Sequence, residues 1–412
     1  MNIQNYFAVT VEQQELVQWI GDIADRYADG AVEADEQNHL NAELIQALKD
    51  AEYHTFSVPK EYGGKGISLT DFLLCQERIA QVDAPTAIAI GWHHISMFNL
   101  AQSRAWDEDV FADLCRDVVE HGALINRADS EAATGSPSRG GRPQTKATLS
   151  GDQYVLNGRK SFTTMSPMLD YFLISATIEP DNKVADFLIP RHVEGVSIDP
   201  VWDMVGMRGT ASHNLVLENV TLPSKACVGI RPNVNPDQPR KWELSAYMMN
   251  IPASYLGIAI AARQHAIDFA STYQPNSVNE PIIHLPHIQQ KLGQLELELT
   301  TARHFMYAVA NRWDMEQQNR LSAGKGSSSD YQNWNSPDIA AVKTVAIQAA
   351  ISVTDQAMRI VGAHSLAMSH PLQRLYRDVR FGLHNPPMDD VTITQLAQRA
   401  IRSQGTKEIA TK

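Results

Sequence analysis

Cysteine is scarce in this chain, and long uncharged apolar runs are absent. The three cysteines, Cys75, Cys115 and Cys227, are too few and too widely spaced for a disulfide framework or a cysteine metal cluster, and we expect no metal site. No uncharged apolar run reaches the roughly 18 residues that a membrane-spanning helix needs. The first residues, Met1 to Tyr6, lack the charged and apolar regions of a signal peptide. These absences predict a soluble, cytoplasmic protein.

Two kinds of binding protein are also excluded. The net charge of −12 argues against a general nucleic-acid binder, which would need a basic face. Neither a Gly-x-Gly-x-x-Gly fingerprint nor a P-loop occurs in the sequence, so a Rossmann-type nucleotide site is not expected.

The pattern of apolar residues divides the chain into three regions. At 412 residues the chain is longer than one hydrophobic core usually supports. Helical spacing, as at Leu16, Ile20 and Ile23, is typical of both ends, whereas short apolar runs bounded by turns indicate strands in the middle. We predict a mainly α fold with a central β domain: an N-terminal α-helical domain (1–123), a β-barrel-like middle domain (124–236) and a C-terminal four-helix bundle (237–412).

A polar loop followed by a hydroxyl-rich strand occupies residues 128–165. Small residues around Gly135 leave backbone amides uncovered, so an anionic or carbonyl-rich ligand can approach closely. Asn157-Gly158 is a strong hairpin-turn signal, and the strand after it carries hydroxyls at Ser161, Thr163 and Thr164. Such a strand could hold a flat polar ring by its edge. The alternative is an ordinary β-hairpin with polar loops.

This stretch resembles the flavin-binding β domain of the acyl-CoA dehydrogenase superfamily. Members carry a Thr-Glu-Pro-Gly-Ala-Gly-Ser-Asp loop and an Asn-Gly-x-Lys-x-Trp-Ile-Thr-Asn strand, and here residues 130–137 read Ser-Glu-Ala-Ala-Thr-Gly-Ser-Pro. The resemblance implies that Ser130 and Ser136 line the flavin and substrate side of the loop. It also implies that Thr164 lies against the flavin's reactive nitrogen N5, with Phe162 and Thr163 beside it.

Further motifs extend the resemblance over nearly the whole chain. The segment 58–66, Val-Pro-Lys-Glu-Tyr-Gly-Gly-Lys-Gly, is similar to a family loop between two helices, and Arg208-Gly209 to a turn that closes the β domain. Arg359 and Gly362 correspond to the family's Gln-x-x-Gly-Gly turn, which reaches the flavin of a neighbouring subunit and so implies an oligomer, by family analogy a homotetramer. An arginine there would suit a phosphate. The resemblance implies FAD as the cofactor. The Arg of the family's Arg-x-x-Phe-Gly is missing near residues 272–276, which weakens the case for the adenine half of FAD and leaves FMN as the alternative.

The family's catalytic base has no counterpart at its usual positions. An acyl-CoA dehydrogenase uses a glutamate to remove the α-proton while a hydride leaves the β-carbon for flavin N5. Here that position falls on Pro386, and the family's other base position falls near Tyr247. Asp389 or Asp390 could substitute as the base. Alternatively, an aspartate there is the N-cap of the following helix.

A second branch of the superfamily offers a different chemistry. His384-Asn385-Pro386 is similar to the His-Asp-Pro of the dibenzothiophene-monooxygenase type, which also carries a first-domain histidine that His93 would match. A histidine pair suits the flavin C4a-hydroperoxide of these enzymes, because imidazole exchanges protons near neutral pH. The alternatives are a core residue for His93 and a helix-capping role for His384.

The resemblance therefore leaves three functions open. The family default is a flavin-dependent α,β-dehydrogenation of an acyl-CoA thioester, with an electron-transfer flavoprotein as partner. The alternative is a reduced-flavin monooxygenase of a small organosulfur or related compound, supplied by a flavin reductase. The third is a catalytically silent flavin-fold scaffold. In either enzyme the partner is a small-molecule substrate, with no nucleic acid or membrane involved.

Overall fold

Helices occupy both ends of the chain and a β-sheet occupies its middle. The computed structural model describes residues 6–134, 141–231, 245–322 and 332–402. The order of helices, sheet and helices confirms the predicted fold class, mainly α with a central β domain. Within the described residues, none of the helices is both long and apolar enough to cross a membrane.

The N-terminal helices begin where the sequence supplies side-chain caps. Thr10 accepts from the backbone of Gln13, whose own side chain returns to the Thr10 backbone, which is a capping box. Asp83 accepts from the backbone of Thr86 at 3.0 Å, and Pro85 stands in the first turn that follows. The helices are α1 (Val11–Asp25), α2 (Ala28–Gln37), α3 (Ala42–Asp50), α4 (Leu69–Ala80), α5 (Ala84–Ser103) and α6 (Glu108–His121).

One eight-stranded sheet follows these helices. Its strands are β1 (Ile125–Ala128), β2 (Lys146–Ser150), β3 (Gln153–Thr163), β4 (Tyr171–Glu179), β5 (Lys183–Pro190), β6 (Val196–Asp199), β7 (His213–Pro223) and β8 (Cys227–Ile230). The strand order is β6-β7-β3-β2-β4-β5-β8. Both β1 and β2 pair with β4 in parallel, β1 along residues 171–174 and β2 along residues 177–179. Ser130 follows β1, and its carbonyl accepts from the backbone of Ser161 in β3.

The prediction of a hairpin turn at Asn157-Gly158 is wrong. β3 runs straight through both residues, with a register shift against β7 beside Gly158, and the hairpin turn lies at Gly151-Asp152 instead. The Asn157 side chain accepts from the backbone of Asn219 at 2.8 Å. A side chain at Gly158 would collide with Thr145, since a Cβ there would lie 2.7 Å from the Thr145 Cα. Asn-Gly thus serves a β-bulge and a close backbone approach.

The C-terminal helices pack on the first region as well as on each other. They are α7 (Asn250–Thr272), α8 (Pro286–Ser322), α9 (Gln332–Val361), α10 (Pro371–Val379) and α11 (Asp389–Arg402). Asp314 of α8 accepts from the backbone of Leu69 and Thr70 at 2.8 Å each, at the start of α4. Arg303 of α8 binds the buried carboxylate of Glu77 of α4, with the closest atoms 2.6 Å apart. A side chain of α8 thus caps the start of α4, and another balances the charge of a buried carboxylate in α4.

Candidate active site

The end of β3 presents one aromatic ring to solvent, between the half-buried Ser161 and the buried Thr163. Phe162 has a positive φ of 56° and a ring that is 58% exposed. A non-glycine residue in this left-handed region is uncommon and marks a constrained position. Its ring meets the edge of Trp202, with ring centres 5.8 Å apart, and Trp202 in turn contacts Phe381 at 6.0 Å. This aromatic wall joins the sheet to the segment that follows α10.

Two hydroxyls flank this wall. The Thr163 hydroxyl is buried and has no hydrogen-bond partner within the described part of the chain. Buried polar atoms of this kind are normally paired, so this hydroxyl is an unsatisfied polar group in the interior. The Thr164 hydroxyl lies 2.9 Å from that of Ser212, which lies 2.9 Å from that of Thr210. Phe162, Thr163 and Thr164, which the sequence grouped together, lie side by side at the end of β3.

A buried ion pair fixes the loop that approaches this strand. The ammonium of Lys160 contacts the carboxylate of Glu131 and the carbonyl of Ser175, each at 2.6 Å. Neither side chain of the ion pair is more than 4% exposed. Burial lowers the pKa of Lys160, and Glu131 opposes that shift. The neighbouring Ser130 carbonyl accepts from the backbone of Ser161 at 2.8 Å, so the structure places Ser130 beside β3. Ser136 lies outside the described residues.

His93 lies in the core behind β3. Its ring is fully buried, with Nε2 2.9 Å from the carbonyl of His54 and Nδ1 accepting from the backbone of Ile125 at 3.2 Å. Burial lowers the pKa of His93 to about 3, so the ring is neutral. The next residue of β1, Asn126, donates to the carbonyl of Thr164 at 3.0 Å. His93 therefore supports the strand that holds Thr164, with both ring nitrogens occupied.

His384 stands in a different setting from His93. It ends a short 3-10 helix, Arg380–His384, and its side chain is exposed. Asn385 accepts a hydrogen bond of 2.7 Å from the buried hydroxyl of Tyr255 on α7. Phe381 of the same 3-10 helix contacts Trp202. The structure thus connects the 380–385 segment with the aromatic wall.

Asp389 is the first residue of α11 and accepts two long side-chain hydrogen bonds. Lys343 Nζ and Thr344 Oγ1 lie 3.4 and 3.2 Å from its Oδ1. The carbonyl of Met388 accepts from the backbone of Thr392, which makes Met388 the residue that precedes the first turn. The N-cap alternative for Asp389 is therefore wrong. Its carboxylate is 43% exposed.

A carboxylate that the sequence does not single out lies close by. Asp378 of α10 is 1% exposed and accepts from the backbone of Met207 at 2.5 Å. Burial raises its pKa to about 6, against the opposing effect of Arg374. Its charge also contributes to the raised pKa of Tyr255. The only sequence signal for Asp378 was the Arg-Asp pair it shares with Arg377 before the predicted base position.

Arg359 and Gly362 lie at the C-terminal end of α9. They line an open cleft of about 740 Å³, together with Arg208 and Arg377. Arg359 bonds to Asp355 one helical turn earlier at 2.7 Å and is mostly exposed. Gly362 has a φ of 71°, a conformation that favours glycine at the end of a helix. The cleft and the aromatic wall are both formed in part by residues 202–208.

Comparison with known proteins shows the family of the chain. The chain matches the family models of the acyl-CoA dehydrogenase N-terminal domain over residues 10–104, middle domain over 127–220 and C-terminal domain over 249–385. The acyl-CoA dehydrogenase-like protein YdbM of Bacillus subtilis (strain 168) is 47% identical over 393 residues, which cover 95% of this chain and 98% of that protein.

Two solved structures share the fold. Butyryl-CoA dehydrogenase from Megasphaera elsdenii has a TM-score of 0.79 at 21% identity, covering 95% of this chain and 99% of that one. The dibenzothiophene monooxygenase TdsC from Paenibacillus sp. A11-2 has a TM-score of 0.77 at 21% identity, covering 94% and 96%. At this identity they show a common fold alone.

The chain belongs to the acyl-CoA dehydrogenase family, as the sequence motifs predicted. It is a flavin-dependent oxidoreductase of that family. The end of β3 fits a flavin: the exposed Phe162 ring offers an apolar face, and the Thr164 hydroxyl offers a polar atom to a ring edge.

Proposed function

We propose that this enzyme dehydrogenates an acyl-CoA thioester between its α and β carbons. The proposal rests above all on the end of β3, where an exposed aromatic ring and two buried hydroxyls come together. A bound flavin supplies the hydride acceptor, its N5 atom. The chain supplies the wall of Phe162 and Trp202 that positions the ring, and the hydroxyl of Thr164 at its edge.

The α-proton needs a base, and we propose Asp389 for this role. Its carboxylate is part-exposed and follows the Pro386-Pro387 turn at which the family's glutamate position falls. Its hydrogen bonds from Lys343 and Thr344 are long, which leaves lone pairs for a substrate. Asp378 is less suited, since it is almost fully buried and already bonded to the Met207 backbone.

The cofactor that we propose is FAD, with FMN as the alternative because TdsC has been solved with FMN. The cleft is lined by the guanidinium groups of Arg208 and Arg359 and also by the carboxylates of Asp35, Glu36 and Asp355. We propose the two arginines as the groups that bind the diphosphate of the larger cofactor. Leu366, Met368 and Val205 line the same cleft and are between 66% and 73% exposed. Apolar side chains around a charged cleft favour burial by a second subunit, and we propose a homotetramer.

Anaerobic titration tests the proposal. The protein is loaded with FAD or with FMN, and acyl-CoA thioesters of increasing chain length are then added. We expect bleaching of the oxidised flavin absorbance by at least one thioester, and a rate about 10²–10⁴-fold lower in Asp389→Asn. Asp378→Asn is the comparison variant, in which the rate of flavin bleaching should be less affected. Light scattering of the loaded protein measures the oligomeric state.

Three results would contradict parts of this proposal. Failure of every thioester to bleach the flavin would reject the dehydrogenase. If a flavin reductase and oxygen then supported oxidation of dibenzothiophene in the wild type but not in His384→Ala, the monooxygenase would replace the dehydrogenase. The monooxygenase receives electrons from the reductase, whereas a dehydrogenase passes electrons to an electron-transfer flavoprotein. A protein unable to take up either flavin would favour the scaffold.

A further inference from the structure

Three buried hydroxyls form a continuous chain that starts at the proposed flavin edge. Thr164, Ser212 and Thr210 are 9%, 5% and 3% exposed, and successive oxygens are 2.9 Å apart. The chain ends at the carbonyl of Met207, which lies 2.9 Å from the Thr210 hydroxyl. Each hydroxyl carries one hydrogen and can also accept, so such a chain can be ordered in either direction.

The terminal carbonyl permits both directions. Met207 O also accepts from the indole N–H of Trp202 at 3.0 Å and from the backbone of Thr210 at 3.1 Å. It therefore stays satisfied when the Thr210 hydroxyl turns away to donate to Ser212. When that hydroxyl turns back, Met207 O is available as the acceptor that ends the chain. In both directions every one of the three hydroxyls has an acceptor for its hydrogen.

The two oxidation states of a flavin require different hydrogen-bond partners at N5, a donor in one state and an acceptor in the other. Oxidised N5 has a lone pair and accepts a hydrogen bond, whereas reduced N5 carries a hydrogen and donates one. We propose that the Thr164–Ser212–Thr210 chain reverses its hydrogen-bond direction with the oxidation state of the flavin, and that Ser212 is the positioning residue that makes the reversal possible. This inference rests on the proposed placement of N5 beside Thr164.

The reversal moves no proton between groups. In the oxidised state Thr210 donates to Ser212, Ser212 to Thr164 and Thr164 to N5. In the reduced state N5–H donates to Thr164, Thr164 to Ser212, Ser212 to Thr210 and Thr210 to the carbonyl of Met207. Each hydroxyl keeps its own hydrogen and only rotates about its C–O bond, so atoms and charges balance in both states.

Removal of Ser212 should affect one oxidation state more than the other. In Ser212→Ala, Thr164 still donates to oxidised N5. When it accepts from reduced N5–H, however, its own hydrogen has lost its acceptor and stays buried. A buried donor without a partner is costly, and we expect binding of reduced flavin to weaken about tenfold relative to oxidised flavin. For a two-electron couple this corresponds to a midpoint potential lower by about 30 mV.

The test measures the midpoint potential of the bound flavin, together with the dissociation constants of its oxidised and reduced forms. Ser212→Ala is compared with Ser166→Ala, which removes another buried hydroxyl of the same region. Ser166 donates to the carbonyl of Ala211 at 3.1 Å and lies outside the chain. Thr210→Val is a second, nearly isosteric variant that removes the acceptor one step further on, and it should also lower the potential. Ser166→Ala should leave it unchanged.

The outcomes separate this inference from the proposed function. Unchanged potentials in both chain variants, or an equal shift in Ser166→Ala, would overturn the reversal. Wild-type protein that binds flavin but is not bleached by acyl-CoA would reject the dehydrogenase, while lowered potentials in the two chain variants would still support the reversal. Wild-type protein that binds no flavin would overturn both.

Discussion

The two walls of the candidate site are held in different ways. On the sheet side, β3 is tied down by a buried ion pair, by the amide of Asn126 and by the hydroxyls behind Thr164. On the helical side, the segment 380–389 has exposed residues at Leu383 and His384, one short hydrogen bond to Tyr255 and two long ones at Asp389.

This difference indicates how the work is divided between the walls. A ring held against the sheet meets groups that are fixed before it binds, which lowers the cost of ordering them. The helical wall, with fewer and longer contacts, is the one that can adapt to a substrate. It is also the wall that contains Pro386, on which the family's glutamate position falls in the sequence.

The largest effect is expected from breaking the ion pair of the sheet wall. Glu131→Gln keeps the side-chain shape but leaves the ammonium of Lys160 buried without its counter-charge. Breaking a buried pair in this way costs about 3–5 kcal/mol. Unfolding in urea measures the change. The matched control is Lys146→Ala, whose pair with Glu179 is 60% and 40% exposed and should be worth less than about 1 kcal/mol. Equal losses in the two variants would show that the sheet wall has no special rigidity.

A pH dependence of stability should separate the two candidate histidines. The folded-state pKa of His93 is about 3, against about 6.5 in an unfolded chain. Between these values the unfolded state binds a proton that the folded state does not. Stability should therefore fall as the pH is lowered from 6.5 towards 3, by about 1.4 kcal/mol per pH unit for this residue.

The variants His93→Gln and His384→Gln sharpen this contrast. The first should reduce the slope of unfolding free energy against pH between 6.5 and 5 by about one proton, since it removes a buried titrating group. The second changes a side chain that is exposed at the surface, and it is the control. If His384→Gln changed the slope as much as His93→Gln, the two walls would not differ in this respect.

The smallest effect is expected on the helical wall. Tyr255→Phe removes the donor to Asn385 and should cost about 1 kcal/mol. The loss should be local, with faster hydrogen exchange at residues 380–388 and little change in β3. The control is Tyr154→Phe. Tyr154 lies in β3 and packs on Phe187, with ring centres 5.1 Å apart. Faster exchange in β3 as well would mean that the two walls open together.

The sequence predicted most of the fold because its signals are local. Helix starts at Thr10 and Asp83 depend on side chains next to the backbone groups that they cap. The turn predicted at Asn157-Gly158 is absent because tertiary contacts overrode a local preference: the strand continues where Gly158 lets Thr145 approach.

The site was less accessible to such reasoning. The grouping of Phe162, Thr163 and Thr164 is contiguous in sequence and could be read from a motif. The chain through Ser212 and Thr210, and the buried Asp378, depend on contacts between residues about 50 or more than 150 positions apart. Nothing in the spacing of one sequence reports such contacts.

The bond between Arg303 and Glu77 joins residues 226 positions apart, and it bears on how the chain is made. Synthesis delivers α4 long before α8, so the carboxylate of Glu77 cannot enter its final environment with a guanidinium beside it until most of the polypeptide has left the ribosome. The final packing of α4 can therefore form only after the last third of the polypeptide has been synthesised, although α4 itself is translated early.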